Sequence, residues 1–173
     1  MKKDFLPAVA LAKKTLRTAF QPRFFIWTGF YTLLAVSAPL LFAHFPQNQL
    51  FTGTVVNAAL FGATWQVGWL GAFWVAVLPS SAALLKGTLP LPMAVLLPFI
   101  IFSNLLLVSD FHLFPKKNLL AIFSSAGLKF IFLFSAALLF AGKIPAIFLS
   151  MLSWPQLVTA LSGGLLVWLI KRK

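Results

Sequence analysis

Residues 118–141 read NLLAIFSSAGLKFIFLFSAALLFA, with Pro115-Lys116-Lys117 in front and Gly142-Lys143 behind. That run decides the fold class. A helix needs about 20 apolar residues to cross a hydrocarbon core of about 30 Å, and this stretch supplies them with one charge, Lys129, near its middle. The rest of the chain repeats the pattern. Of 173 residues 61% are hydrophobic and only 9% charged, against about 25% charged in a soluble domain. A water-soluble fold is excluded on those grounds.

Working outward, the segment before it runs from Leu89 to Leu113, and the one after from Ala146 to Ile170, closed by Lys171-Arg172-Lys173. Phe24 to His44 forms a first span, ended by Phe45-Pro46-Gln47-Asn48-Gln49. Between them, Leu50 to Leu85 is too long for one crossing and divides at Thr64-Trp65-Gln66-Val67-Gly68. The expected fold is therefore an all-α membrane protein of about six transmembrane helices. Its expected parts are a basic amphipathic interfacial segment (1–23), a six-helix domain (24–170) and a basic tail (171–173).

Loop charges set the expected orientation, because Lys and Arg concentrate on the cytoplasmic side. With both termini inside, that side receives Lys2, Lys3, Lys13, Lys14, Arg17, Arg23, Lys116, Lys117, Lys171, Arg172 and Lys173, eleven of the 14 basic residues. Only Lys86 and Lys143 fall outside, and Lys129 within a span. Trp27, Trp65, Trp69 and Trp168 fall at the same cytoplasmic ends, where amphipathic rings favour the interface. Trp74 and Trp154 lie deeper, which calls for packing or a ligand. The first 23 residues offer no uninterrupted apolar stretch, so no cleaved signal peptide is expected. Instead Phe5, Leu6, Val9, Leu11, Leu16 and Phe20, interleaved with Lys13, Lys14 and Arg17, read as a helix on inner-leaflet lipid or as a docking surface for a partner subunit.

Several function classes drop out. The +12 net charge is not a nucleic-acid footprint, since the basic residues punctuate apolar runs rather than cluster on a polar face. Cys is absent, which removes disulfides, thiolate metal sites and thiol nucleophiles. No phosphate-cradling GxxxxGK[ST] motif occurs, so no nucleotide or other cofactor is expected in this chain and any ATP is used by partners. Asp4 and Asp110 are far apart, His44 and His112 sit at opposite faces, and neither HExxH nor GxSxG is present, so the chain is not expected to be an enzyme or to hold a metal.

Candidate binding residues follow from polarity inside the spans. Lys129 costs about 2.5–3.5 kcal/mol at mid-helix even on a lenient insertion scale, so it must snorkel, pair or meet an anionic ligand group. Asn57, Asn104 and Gln156 must each find a hydrogen-bond partner, as interhelical glue or in a cavity. Ser153-Trp154-Pro155-Gln156 adds an aromatic and a proline that frees a backbone carbonyl one turn earlier. His44, Gln47 and Asn48 would form the lip of an outward-facing pocket. Asp110 with His112 reads as a solvated interfacial pair. The expected substrate-binding set is His44, Gln47, Asn48, Asn57, Lys129, Trp154 and Gln156.

With these residues in place, the layout resembles the substrate-binding S components of energy-coupling factor (ECF) transporters. The resemblance rests on Gly53-Thr54-Val55-Val56-Asn57-Ala58-Ala59-Leu60, on Leu89-Pro90-Leu91-Pro92, on Ser153-Trp154-Pro155-Gln156-Leu157-Val158-Thr159-Ala160-Leu161, and on the spacing across residues 24–173. It implies a multi-pass cell-membrane protein that captures a vitamin or cofactor-like molecule in a pocket built from the first outer loop and the outer halves of spans four to six. It also implies partners: a transmembrane coupling subunit and two cytoplasmic ATPase subunits. In that family small residues of the first span contact the coupling subunit. Here the outer half carries Ala35 and Ser37-Ala38, and the cytoplasmic half Thr28, Gly29 and Thr32, a departure from that pattern. Abundant Phe, Trp154, Lys129 and His44 suit a flat aromatic acid, such as a haem-like tetrapyrrole or an acidic vitamin. Two other classes compete: a non-transporting membrane scaffold, and a self-contained secondary transporter, which would commonly show inverted repeats.

Overall fold

The computed structural model describes residues 21–42, 44, 48–85, 91–114, 116 and 118–172. The interfacial segment expected over 1–23 lies almost wholly outside these residues, as do Gln47, Lys86-Gly87-Thr88, Lys117 and Lys173. All regular structure among the described residues is helical: α1 (Pro22–Leu41), α2 (Asn48–Gln66), α3 (Trp69–Leu85), α4 (Leu91–Leu113), α5 (Leu119–Leu139), α6 (Ala146–Ser150) and α7 (Trp154–Arg172).

Local chemistry explains the boundaries. Pro22 opens α1, where its missing N–H leaves no helical bond unmade. Between α2 and α3 the chain turns at Val67 and Gly68, with Gly68 at φ +93°, a left-handed conformation that favours glycine. Val67 and Gly68 both donate to the Ala63 carbonyl (2.8 and 3.1 Å), and the Gly68 carbonyl accepts from Ala72 N–H (3.2 Å), so this glycine both ends one helix and starts the next. The break therefore falls at the end of the expected 64–68 stretch. Thr64 remains helical, with its hydroxyl turned back to donate to the Leu60 carbonyl (2.7 Å), so it exposes no unpaired polar group. On α5, Asn118 caps the first turn by accepting from Ala121 N–H (3.1 Å).

One boundary differs from expectation. The stretch 146–170 is not one continuous helix: it turns over Met151–Ser153 and restarts at Trp154. Pro155 is the cause. As the second residue of α7 it has no N–H for the Met151 carbonyl four residues back, so the helix begins there instead of passing through.

Among the described residues four stretches are long and apolar enough to cross a membrane: Pro22–Leu41, Ala94–Leu113, Leu119–Leu139 and Ala146–Arg172, the last spanning α6 and α7. The chain is an all-α membrane protein. α3 offers a shorter apolar stretch, Trp69–Ala82. Being more polar, α2 occupies the centre, where it packs against α1, α3, α4 and α7. A helix clothed by other helices can carry amides that lipid would not tolerate.

Two apolar clusters fill the bundle. The larger holds Leu60, Phe61, Leu107, Phe111 and Ile122, with Phe61 and Phe111 edge to face at 4.8 Å. Leu96, Leu133, Ala137 and Leu152 make the smaller one toward the opposite end. Gly163 sets the spacing of α2 and α7. A Cβ there would lie 2.6 Å from the Ala58 nitrogen and 2.7 Å from the Thr54 carbonyl oxygen, both backbone atoms, so only glycine allows this approach.

Side-chain bonds show which helix ends meet. Lys171 and Tyr31 both donate to Gln66 Oε1 (2.9 and 3.0 Å), and Trp69 Nε1 donates to Ser109 Oγ (3.0 Å). Ser125 Oγ donates to Asp110 Oδ2 (2.8 Å), which gives Asp110 a partner on the next helix. Trp65 and Trp168 both pack on the larger cluster, beside Trp69's end of the bundle, and Arg172 lies over the Trp168 ring at 4.8 Å.

Candidate functional site

The two clusters are separated by a polar node. Asn57 of α2, Asn104 of α4 and Lys129 of α5 are buried there, at 1%, 5% and 3% exposure. Lys129 lies one turn from Leu133 of the small cluster and near Ala126 of the large one, and so sits at the junction of the two. Its Nζ donates to Asn57 Oδ1 and Asn104 Oδ1, both at 2.7 Å. Snorkelling is thereby replaced by an internal grip. Both acceptors are neutral, and two of the three ammonium protons are used.

From the node a hydrogen-bonded seam runs along the α2–α7 contact. Asn57 Nδ2 donates to the Gly53 carbonyl (2.8 Å) and to Thr159 Oγ1 (3.2 Å). Thr159 Oγ1 in turn donates to the Gln156 carbonyl (3.2 Å). Gln156 Nε2 then donates to the Met151 carbonyl (3.1 Å), as does Gln49 Nε2 (2.9 Å). The carbonyl that Pro155 leaves without a helical donor is thus taken by two amides, one from its own turn and one from α2. Helical periodicity builds the seam: Gly53 and Asn57 are four apart on α2, Gln156 and Thr159 three apart on α7, so each pair shares a face.

Of the sequence-predicted residues, Asn57, Lys129 and Gln156 are joined by this seam. His44 follows α1 and Asn48 opens α2, both exposed toward the seam's Gln49 end. Gln47 lies outside the described residues. Trp154 is 60% exposed and Trp74 43% exposed, so neither ring is enclosed by the bundle's own helices. The seam adds Asn104, Thr159, Gln49 and the Met151 carbonyl to the predicted set. Asn104 was legible as a polar group in a span and Thr159 as a neighbour of Gln156. Nothing in the sequence pairs either with its partner, since Lys129 and Asn104 lie 25 residues apart and Asn57 and Thr159 lie 102 apart.

No protein family, curated protein or solved structure matches this chain. The chemistry must therefore be read from the residues themselves. A buried ammonium held by neutral oxygens can exchange those acceptors for an anion, since charge-assisted bonds to a carboxylate are stronger than bonds to amides. Among the described residues no group of three His, Cys, Asp or Glu is placed to hold a metal.

Proposed function

We propose that this is a six-span cell-membrane protein with both termini cytoplasmic that works as the substrate-binding S component of an ECF-type importer. In this reading it captures a small acidic molecule from outside, and a transmembrane coupling subunit with two cytoplasmic ATPases drives uptake. The observation that carries it is the Lys129 node. A buried cation with no acidic partner among the described residues, linked through Asn57, Thr159 and Gln156 to the α6–α7 turn, suits a protein that receives an anion from that end. Lys116, Lys171 and Arg172 mark the opposite end, which the positive-inside bias makes cytoplasmic.

The substrate's acid group would approach Lys129 Nζ in place of the Asn57 and Asn104 oxygens. Gln49 and Gln156 would part from Met151 to let it in, and Trp154, with His44 and Asn48, offers contact surface at the mouth. The test is to purify the full chain and identify the small molecule and the proteins that come with it. A tightly held cofactor-sized acid is expected, with affinity reduced at least tenfold in Lys129→Met and in Gln156→Ala and lowered in Trp154→Ala. An empty bundle that recruits no ATPase-coupled partner would make the seam plain helix glue and the chain a membrane scaffold. Proton-linked uptake by the chain alone in liposomes would make it a secondary transporter.

A further inference from the structure

Lys129 and Asn104 stand at the foot of an apolar column. Outward from the node, α5 places Leu133 and Ala137 one and two turns beyond Lys129, and α4, running the other way, places Ile100 and Leu96 one and two turns from Asn104. Two turns are about 11 Å of helix. Leu96, Leu133 and Ala137 are buried members of the smaller cluster and Ile100 packs on it. The amides of Asn57 and Gln156 beside this column already have acceptors in the seam. Above the ammonium, α4 and α5 thus offer a bound molecule hydrocarbon contact.

Leu152 closes the outer end of the column. From Leu138 to Trp154 every residue is exposed or half-buried except this one, which is 0% exposed and packs with Leu96, Leu133 and Ala137. The strap that carries it is lightly held. α6 has no buried residue, and Phe140, Ile144 and Leu149 lean on the same cluster half-buried. Gly142 enters the strap at φ +80° with open space around its Cβ, so glycine is needed there for the turn and not for packing. Pro155 ends it by breaking the helix. Apart from these apolar contacts, the Gln49 amide on the Met151 carbonyl (2.9 Å) ties the strap to α2. A ligand shifts such an equilibrium only through what it contacts in one state and not the other. To displace a leucine it must bring apolar surface of its own, and to gain beyond that it must bond Lys129, whose third proton has no acceptor among the described residues. A second acid group would lie unpaired against leucine and alanine, which is strongly disfavoured.

Resting on the reading of the node as the substrate site, we propose that the substrate is a monocarboxylate with an apolar body, its acid on Lys129 and its body between α4 and α5 in the place that Leu152 fills in this structure. Leu152 is then a plug, withdrawn with its strap when such a molecule enters. The full chain in nanodiscs is titrated by calorimetry with three compounds of one frame: phenylpropionate, the uncharged phenylpropanol, and the diacid para-carboxyphenylpropionate. The monoacid should bind at least tenfold more tightly than either, and Lys129→Met should erase its advantage over the alcohol. Leu152→Ala should tighten monoacid binding at least fivefold, whereas Ile147→Ala, at a strap position 64% exposed, should leave it unchanged. Plug withdrawal is read on the natural chain by hydrogen-exchange mass spectrometry: exchange across 146–153 should speed at least tenfold with the monoacid and stay constant with the alcohol. Diacid binding as tight as the monoacid's, with the strap opening, overturns the monocarboxylate class and leaves the importer reading standing. Monoacid binding with unchanged exchange across the strap overturns the plug. Binding of none of the three overturns the proposal, and if no acid and no ATPase-coupled partner co-purify with the chain the importer reading falls with it.

Discussion

Replacing Asn104 by leucine removes one of the two amide oxygens that hold Lys129, and its cost should depend on whether the lysine is there. In the natural chain the change forfeits a charge-assisted bond of 2.7 Å at a site 5% exposed, worth about 1.5–3 kcal/mol. In a Lys129→Met background the Asn104 oxygen has already lost its donor, a defect of about 1–3 kcal/mol that leucine relieves. The same substitution should therefore destabilise one protein and stabilise the other. The coupling is the sum, about 2.5–6 kcal/mol. Neutral interhelical bonds in membranes average only about 0.6 kcal/mol, so a value above about 2 identifies the buried ammonium as its source. Lys129→Met alone should change stability little, because two orphaned acceptors are offset by about 2.5–3.5 kcal/mol gained from not burying the charge. Unfolding in mixed micelles, followed by fluorescence of the six tryptophans, gives all four corners of the cycle. Coupling below about 0.5 kcal/mol, the scatter expected of independent sites, would refute the node as drawn.

Further outcomes test other parts of the molecule. Gly163→Ala should cost about 1–3 kcal/mol by forcing the α2 and α7 backbones apart, whereas Gly29→Ala, with open space around its Cβ, should stay within about 0.5 kcal/mol; thermal unfolding of the pair separates them. The chain has no cysteine, so single introduced cysteines report topology directly. His44→Cys and Lys143→Cys should react with an impermeant maleimide outside cells and Lys116→Cys only after lysis, and the reverse pattern would invert the proposed orientation. Gln49→Leu should leave the Met151 carbonyl with one donor and speed amide exchange across 146–156, while Pro155→Ala, which restores a backbone donor, should slow it; hydrogen-exchange mass spectrometry reads both.

Hydropathy and punctuation alone determined the class of this protein and most of its helix boundaries. Those properties are local: in lipid every backbone group must be satisfied within its own helix, so a run of apolar residues between charges, prolines and glycines largely specifies its own structure. Even the turn at Gly68 was readable from a polar, glycine-ended stretch. By contrast, the sequence left Lys129 with three fates, and packing chose among them, because only the bundle brings Asn57 and Asn104 to its ammonium from separate helices. Pro155 announced a freed carbonyl, yet Gln49 became its partner through the α2–α7 crossing that Gly163 permits. A side chain's polarity is written in the chain, but which group satisfies it is decided by contacts between residues far apart in sequence.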